Sequence, residues 1–472
     1  MDEKIPLNAP VRLINQIVDN LDIGEIIETY KGGGTSSYHP RMMLKLVLYS
    51  YLDMGYLSLD VVYTDGTKME SRANRYTFVW RKTVEKNRVK LEAKIRKVLE
   101  QIEEGIYLDN QVNEEPPIPI NSEELQKRIA QINREKLSKE EKKAVKTLEE
   151  KHLPKLKEYE NHLETLGNRN SYSKTDQDAT FMRMKDDHMK NGQLKPAYNL
   201  QIGTENQFFT HFDFFPNPTD FLTFIPFNNG FKERYDKMPK KVVTDSGYGS
   251  EENYEFMQNN NIEAFVKYPG FHAEQKKSWK NNAFISQNLF YNKEKDYFVC
   301  PMGQHMEKVG TSTRKSESGY VSNTTLYQAK RCAGCPLKCL CHNAKGNRQI
   351  EVNHQLNEYR RKARELLTSE EGLYHRSRRP IEPEAVFGQT KANKQYYRFR
   401  HFGLDKIKTD FAIFAVAFNI GKLCNKAKNT PKNRDNSAFF TTNTFIFVFV
   451  VVLTQGVSAT NEFSHKTWRS AA

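Results

Sequence analysis

The chain has 472 residues, enough for two or three domains and a sizeable core. Hydrophobic residues are 38% and charged residues 28%, and a net charge of +14 with a pI near 9.2 favours a polyanionic partner, nucleic acid before an anionic membrane. Six cysteines, five of them between Cys300 and Cys341, argue against a disulfide scaffold, and no apolar signal segment follows Met1-Asp2-Glu3-Lys4, so a cytoplasmic protein is expected.

Residues 1–58 read as helical. Val11–Ile27 carries apolar residues at helical spacing, and His39-Pro40 opens a second helix through Met42, Met43, Leu46, Val47 and Tyr51. The spacing fits a plain helical hairpin or a module that binds DNA ends. In residues 59–82, Val61-Val62-Tyr63-Thr64 leads into Asp65-Gly66, a β-branched run ending in an acid before glycine. Residues 83–170 are a helical insertion. Val84, Leu91, Ile95, Val98, Leu99 and Ile102 follow helical spacing, and Asn121 with Glu124 and Ser138 with Glu141 form capping boxes of two further helices.

Strand patterns return in residues 171–270, at 179–184, 197–203 and 207–214, the last two forming a hairpin across Thr204-Glu205-Asn206. A helix over 220–231 precedes Lys241-Val242-Val243-Thr244-Asp245-Ser246-Gly247, where a second apolar strand ends on an acid. Carboxyl ends of strands collect ligands in α/β sheets, and Mg²⁺ takes hard oxygen donors, so Asp65 and Asp245 are candidate metal ligands. A strand-end Asp before glycine is more commonly a turn former that caps a helix. The order of strands and helices predicts an α/β domain with a mixed sheet.

Residues 271–352 are a cysteine-rich insertion. Cys300-Pro301-Met302-Gly303 and Cys332-Ala333-Gly334-Cys335, followed by Cys339, Cys341 and His342, have a zinc-ribbon-like layout. The expected structural Zn²⁺ set is Cys300, Cys332, Cys335 and either Cys339 or Cys341.

Residues 353–428 are helical and basic. Glu384 and Lys391 stand seven apart, two turns of one helix face, so a carboxylate could complete a metal site while the lysine holds phosphate. An exposed salt-bridge face has the same spacing. Arg378 and Arg379 precede them. Tyr396-Tyr397-Arg398-Phe399-Arg400-His401-Phe402 interleaves rings and cations, as stacked bases and phosphates require. Residues 429–472 change character, and the nine apolar residues Phe445–Leu453 are too short to cross a membrane as a helix.

Taken together, these segments resemble a DDE transposase of the IS4-related kind, close to the IS1182 family of bacterial insertion sequences. The resemblance rests on Tyr38-His39-Pro40-Arg41-Met42-Met43-Leu44, Asp65-Gly66-Thr67-Lys68, Arg75-Tyr76-Thr77-Phe78-Val79-Trp80, Asp245-Ser246-Gly247-Tyr248-Gly249-Ser250, Cys300-Pro301 and Glu384-Ala385-Val386-Phe387-Gly388-Gln389-Thr390-Lys391. It implies an RNase H-like core in which Asp65, Asp245 and Glu384 are the catalytic acids. They would hold two Mg²⁺ or Mn²⁺ ions for phosphodiester hydrolysis and strand transfer. It places Lys391 on double-stranded DNA, both insertion-sequence ends and target, and Arg378, Arg379, Arg398 and Arg400 of the basic segment are expected to join it there. A homodimer on DNA in the nucleoid is expected, with no membrane partner. The chain departs from the family in two places. Tyr51–Leu57 runs almost directly into the Asp65 strand where relatives carry several tens of helical residues, so the end-binding module reads as shortened. The tail after Lys432 matches no family feature.

Overall fold

The computed structural model describes residues 57–106, 120–132, 137–184 and 192–429, together with Asp19. The two expected N-terminal helices and the apolar run Phe445–Leu453 lie outside the described residues.

Strand β1 (Val61–Glu70) leads to a short strand β2 (Phe78–Trp80) and the helices α1 (Arg81–Ile106), α2 (Ser122–Gln131), α3 (Lys139–Thr147) and α4 (Leu153–Leu166). Asn121 caps α2 by accepting from the Glu124 amide, and Ser138 with Glu141 completes the reciprocal capping box of α3. Leu91, Ile95, Leu99, Leu125, Ile129, Leu148 and Leu156 give these helices an apolar core of their own. Strand β3 (Ser171–Ser173) returns antiparallel to β2, closing the excursion where it began.

The chain then forms β4 (Thr180–Arg183), β5 (Leu194–Glu205), β6 (Phe208–Phe215), α5 (Phe224–Tyr235), β7 (Lys241–Thr244), α6 (Glu251–Asn259) and β8 (Glu263–Val266). With β1 they make one mixed six-stranded sheet, as expected. β5 pairs antiparallel with β1, and its two ends pair with β4 and β6. β1–β7 and β7–β8 are parallel. The β5–β6 turn is tighter than its sequence suggested, resting on Asn206 and Gln207, both with positive φ, as two-residue hairpin turns require.

The cysteine-rich segment holds a second sheet with no counterpart in the sequence reading. Strands β9 (Phe290–Asn292), β10 (Tyr297–Val299), β11 (His305–Lys315), β12 (Val321–Ala329) and β13 (Gln349–Val352) form an antiparallel sheet in the order β13-β12-β11-β10-β9. β11 is exposed at most positions, so apolar alternation there is weak and the polar surface hid the strands.

Helices α7 (His354–Thr368), α8 (Glu370–Arg378), α9 (Ala385–Gly388) and α10 (Leu404–Asn429) follow. Two apolar clusters hold the mixed sheet. One joins Tyr63, Val242, Val243, Phe265 and Tyr248 to α6 and α7 through Tyr254, Tyr359, Ala363 and Leu367. The other joins Met69, Tyr198, Leu200, Ile202 and Phe214 to α10 through Ile407, Phe411, Ala415 and Phe418. α9 is flanked by wide π-helical turns at Pro380–Glu384 and Gln389–Asn393. Pro383 lacks the N–H that an α-helical turn would use there, and such turns often mark functional segments.

Candidate active site

Asp65 lies in the middle of β1, not at a strand end, because the strand continues through Gly66 to Glu70. What read as a turn is a site of close approach. A Cβ on Gly66 would meet Gln201 Nε2 at 2.2 Å and Asp220 Oδ1 at 2.6 Å, so glycine is needed for packing, not for chain reversal. Asp245 does follow the last residue of β7 and caps the tight turn Ser246–Tyr248, accepting from the Gly247 amide at 2.8 Å. The parallel register pairs Val61 with Lys241 and Tyr63 with Val243, and its continuation sets Asp65 beside Asp245. Glu384 is the last residue of the first π turn.

Arg379, between α8 and that π turn, joins the three. Its guanidinium stands 3.4 Å from Asp65 Oδ2, 3.6 Å from Asp245 Oδ2 and 3.1 Å from Glu384 Oε1. The arginine is buried, whereas half of the Glu384 side chain faces solvent. Sequence reading assigned Arg379 to DNA; in the structure its guanidinium lies against the three acids. Among the described residues, no three acid, histidine or cysteine side chains stand close enough to hold an ion as they are. The donor set nevertheless suits a hard divalent cation: three carboxylates on three separate segments, with a cationic group already drawn between them.

The reading of the sequence missed Asp220, which it placed as the first residue of a helix. α5 begins only at Phe224, and Asp220 Oδ1 accepts from Asn199 Nδ2 at 2.9 Å and Gln201 Nε2 at 2.8 Å. Buried Gln201 in turn accepts from the Tyr248 hydroxyl. Burial, then the negative charges of Asp220, Asp65 and Asp245, push the Tyr248 phenol well above its ordinary value, so it remains a neutral donor. The signal for Asp220 was weak, an acid set apart from the strand pattern at 207–214 by Pro216-Asn217-Pro218-Thr219.

Lys391 does not simply stack two turns above Glu384. The wide turns re-aim it, and its ammonium reaches the Lys68 carbonyl on β1 at 3.2 Å. Arg378 pairs with the buried Glu382 at 3.0 Å, and Glu382 also accepts from the Gln207 amide of the β5–β6 turn at 2.7 Å. The interleaved ring and cation segment divides in two. Phe399 is core, and Tyr396 stacks on Phe414 while donating to Asp410 at 2.6 Å. Arg398 is a structural clamp on the Ser71 and Arg72 carbonyls. Tyr397 and Phe402 remain exposed, Arg72 lies over the Phe402 ring, and Arg72 also donates to the Arg400 carbonyl.

Four of the cysteines, Cys300, Cys332, Cys335 and Cys341, line one small cavity of about 20 Å³ together with His342 and Arg348. Gly303 and Gly334, both with positive φ, turn the two knuckles that carry Cys300 and the Cys332–Cys335 pair. Arg348 donates its amide to Cys332 Sγ at 3.3 Å and its guanidinium to Cys341 Sγ at 3.0 Å. Cys339 is exposed and outside the cavity lining, so of the two sequence alternatives the geometry favours Cys341.

Comparison with known families gives two matches: a transposase DDE domain over residues 299–424 and a transposase domain (DUF772) over residues 1–56. No curated protein and no solved structure matches the chain. The first match includes Glu384, Lys391 and the cysteines, while Asp65 and Asp245 lie outside both. DDE transposase domains act on DNA and generally use divalent metal ions. No helix among the described residues is long and apolar enough to cross a membrane. The mixed sheet is compatible with a DDE nuclease-like core, and the two matches support a transposase function for this chain.

Proposed function

We infer that the chain is a DNA transposase with an RNase H-like core, cutting and joining phosphodiesters at the ends of an insertion sequence. The observation that carries this reading is the meeting of Asp65, Asp245 and Glu384 around one guanidinium, although they stand far apart in the chain. The strand order β6-β5-β1-β7-β8, antiparallel up to β1 and parallel after it, accords with such a core. Asp65, Asp245 and Glu384 would hold two Mg²⁺ or Mn²⁺ ions, which supply positive charge at the attacking and leaving oxygens of a phosphodiester.

The protein's own groups set the stage for that chemistry. β1 and β7 fix Asp65 and Asp245 side by side, and Asp220, held by Gln201, which accepts from Tyr248, occupies the space left beside Gly66. The exposed Glu384 closes the cluster from the helical side. Lys391 and Arg378 lie on segments that flank Glu384, and with Arg400 they would receive DNA phosphates. Double-stranded DNA is the proposed partner, engaged by a homodimer. The cysteine cavity would take one structural Zn²⁺ once Cys300, Cys332, Cys335 and Cys341 draw in around it, because four thiolates suit a tetrahedral ion.

The direct test is nicking of supercoiled plasmid with Mn²⁺ or Mg²⁺. The wild type should nick only with the ion, and Asp65→Asn and Asp245→Asn should nick no faster than buffer. Metal-independent nicking, or full activity in either variant, would refute the reading. A second reading, a DNA-binding remnant with little choice of sequence, is favoured by the short connection between Leu57 and the start of β1 at Val61. Under it, gel shifts would show equal, salt-sensitive binding to end and scrambled DNA, without excision.

A further inference from the structure

Arg379 is poorly explained as a surface DNA contact. Its residue is 9% exposed, and its guanidinium touches all three acids at once. Carboxylates crowded together repel one another, and a buried cation between them removes that repulsion. The contacts use the two terminal nitrogens, while the buried Nε has no hydrogen-bond partner. Lys267 lies within reach of the same charges. Burial, followed by the charges of Arg379 and Arg376, pushes the Lys267 ammonium below its ordinary value. Arg376 itself rests over the Phe271 ring. Asp245 and Glu384 in turn favour the charged form of Lys267, while Arg379 touches all three acids.

We propose that Arg379 is the resting counter-cation of the acid cluster, a positioning residue that holds Asp65, Asp245 and Glu384 together until a divalent ion replaces it, and that a DNA phosphate promotes the exchange by offering the guanidinium a second anion beside Arg376 and Lys267. This rests on the reading of the three acids as the metal-binding set. The physical basis is competition for the same oxygens. A guanidinium within 3.6 Å of all three carboxylates and a divalent ion bound by them cannot share the space. Arg379 thus weakens ion binding in the free protein, and phosphate, by drawing it away, strengthens it. By linkage, ion and DNA must then promote each other's binding. The wide turn at Pro380–Glu384, directly after Arg379, gives the segment a non-α geometry that can re-seat the side chain without unwinding α8.

The test is Mn²⁺ binding to the full-length protein by calorimetry and by the electron paramagnetic resonance of free Mn²⁺, with and without a short DNA duplex. Without DNA, Arg379→Ala and Arg379→Gln should bind Mn²⁺ about tenfold or more tighter than wild type, within the range of ordinary site coupling. Both variants should melt lower than wild type without the ion and regain the difference when Mn²⁺ is added. DNA should tighten Mn²⁺ binding in the wild type and leave the variants unchanged. Arg379→Gln keeps most of the side-chain volume and serves where Arg379→Ala fails to fold. Equal or weaker Mn²⁺ binding in the folded variants would overturn the proposal while leaving the metal-dependent reading intact. If wild type and variants all fail to bind Mn²⁺, with or without DNA, both fall together.

Discussion

The mixed sheet and the antiparallel sheet solve a similar problem with opposite chemistry. Each gathers ligand-type side chains around a buried arginine: Arg379 among carboxylates, Arg348 against Cys332 and Cys341. In the mixed sheet the donors come from β1, β7 and a helical turn, and one of them is half exposed. In the antiparallel sheet they come from two knuckles and one short helix, and they enclose a cavity of about 20 Å³. The difference is one of construction. Under the proposed function, hard donors for an exchangeable ion would be held by a packed sheet and left open to a substrate, whereas soft donors for a structural ion would be supplied by local turns and closed off.

The sharpest way to break this comparison uses two acids two residues apart. Glu384→Gln should abolish ion-dependent nicking, a loss greater than the ~10–100-fold that follows changes behind a metal's ligands, with little change in melting temperature. Glu382→Gln should do the reverse. Glu382 is 1% exposed and paired with Arg378, so its loss should cost about 3 kcal/mol, the lower end for a broken buried pair because Arg378 keeps some contact with water. Parallel nicking rates and denaturant curves would decide it. A Glu384→Gln protein that nicks normally, or a Glu382→Gln protein of unchanged stability, would mean that these two acids have been assigned the wrong way round.

Glycines offer a milder contrast between the two sheets. Gly66→Ala places a methyl against Gln201 and Asp220 and should cost roughly 1–3 kcal/mol as overpacking, with reduced nicking. Gly310→Ala, at the β11 bulge with nothing near its added methyl, should stay within about 0.5 kcal/mol of wild type. Urea unfolding of both variants measures the difference, and equal costs would show that the mixed sheet is not tightly packed at Gly66.

The smallest expected effect on catalysis comes from the cysteines. Elemental analysis of protein purified under reducing conditions should find about one zinc per chain, lost in Cys332→Ser and Cys341→Ser and retained in Cys339→Ser. Their nicking rates should follow stability only. Zinc lost on replacing Cys339 but kept on replacing Cys341 would reverse the ligand assignment made from the cavity.

What the sequence determined by itself was local. The capping box of Ser138 and Glu141, the helical spacing of Leu91, Ile95 and Leu99, the apolar strands before Asp65 and Asp245, and the knuckle spacing of the cysteines each depend on neighbours within a turn or two, and all are legible as patterns. Tertiary structure alone decided the rest. Asp65 and Asp245 come together through a parallel register between strands far apart in the chain, which no spacing encodes. Asp220 joins them because Gly66 leaves room for it, a fact about a missing side chain on another strand. Arg379 reads as one basic residue in a basic run until the fold surrounds it with three carboxylates. Phe399 and Tyr396 look like stacking platforms until α10 packs on them. Burial and charge pairing are properties of what surrounds a residue, and along the chain most of those surroundings lie out of sight.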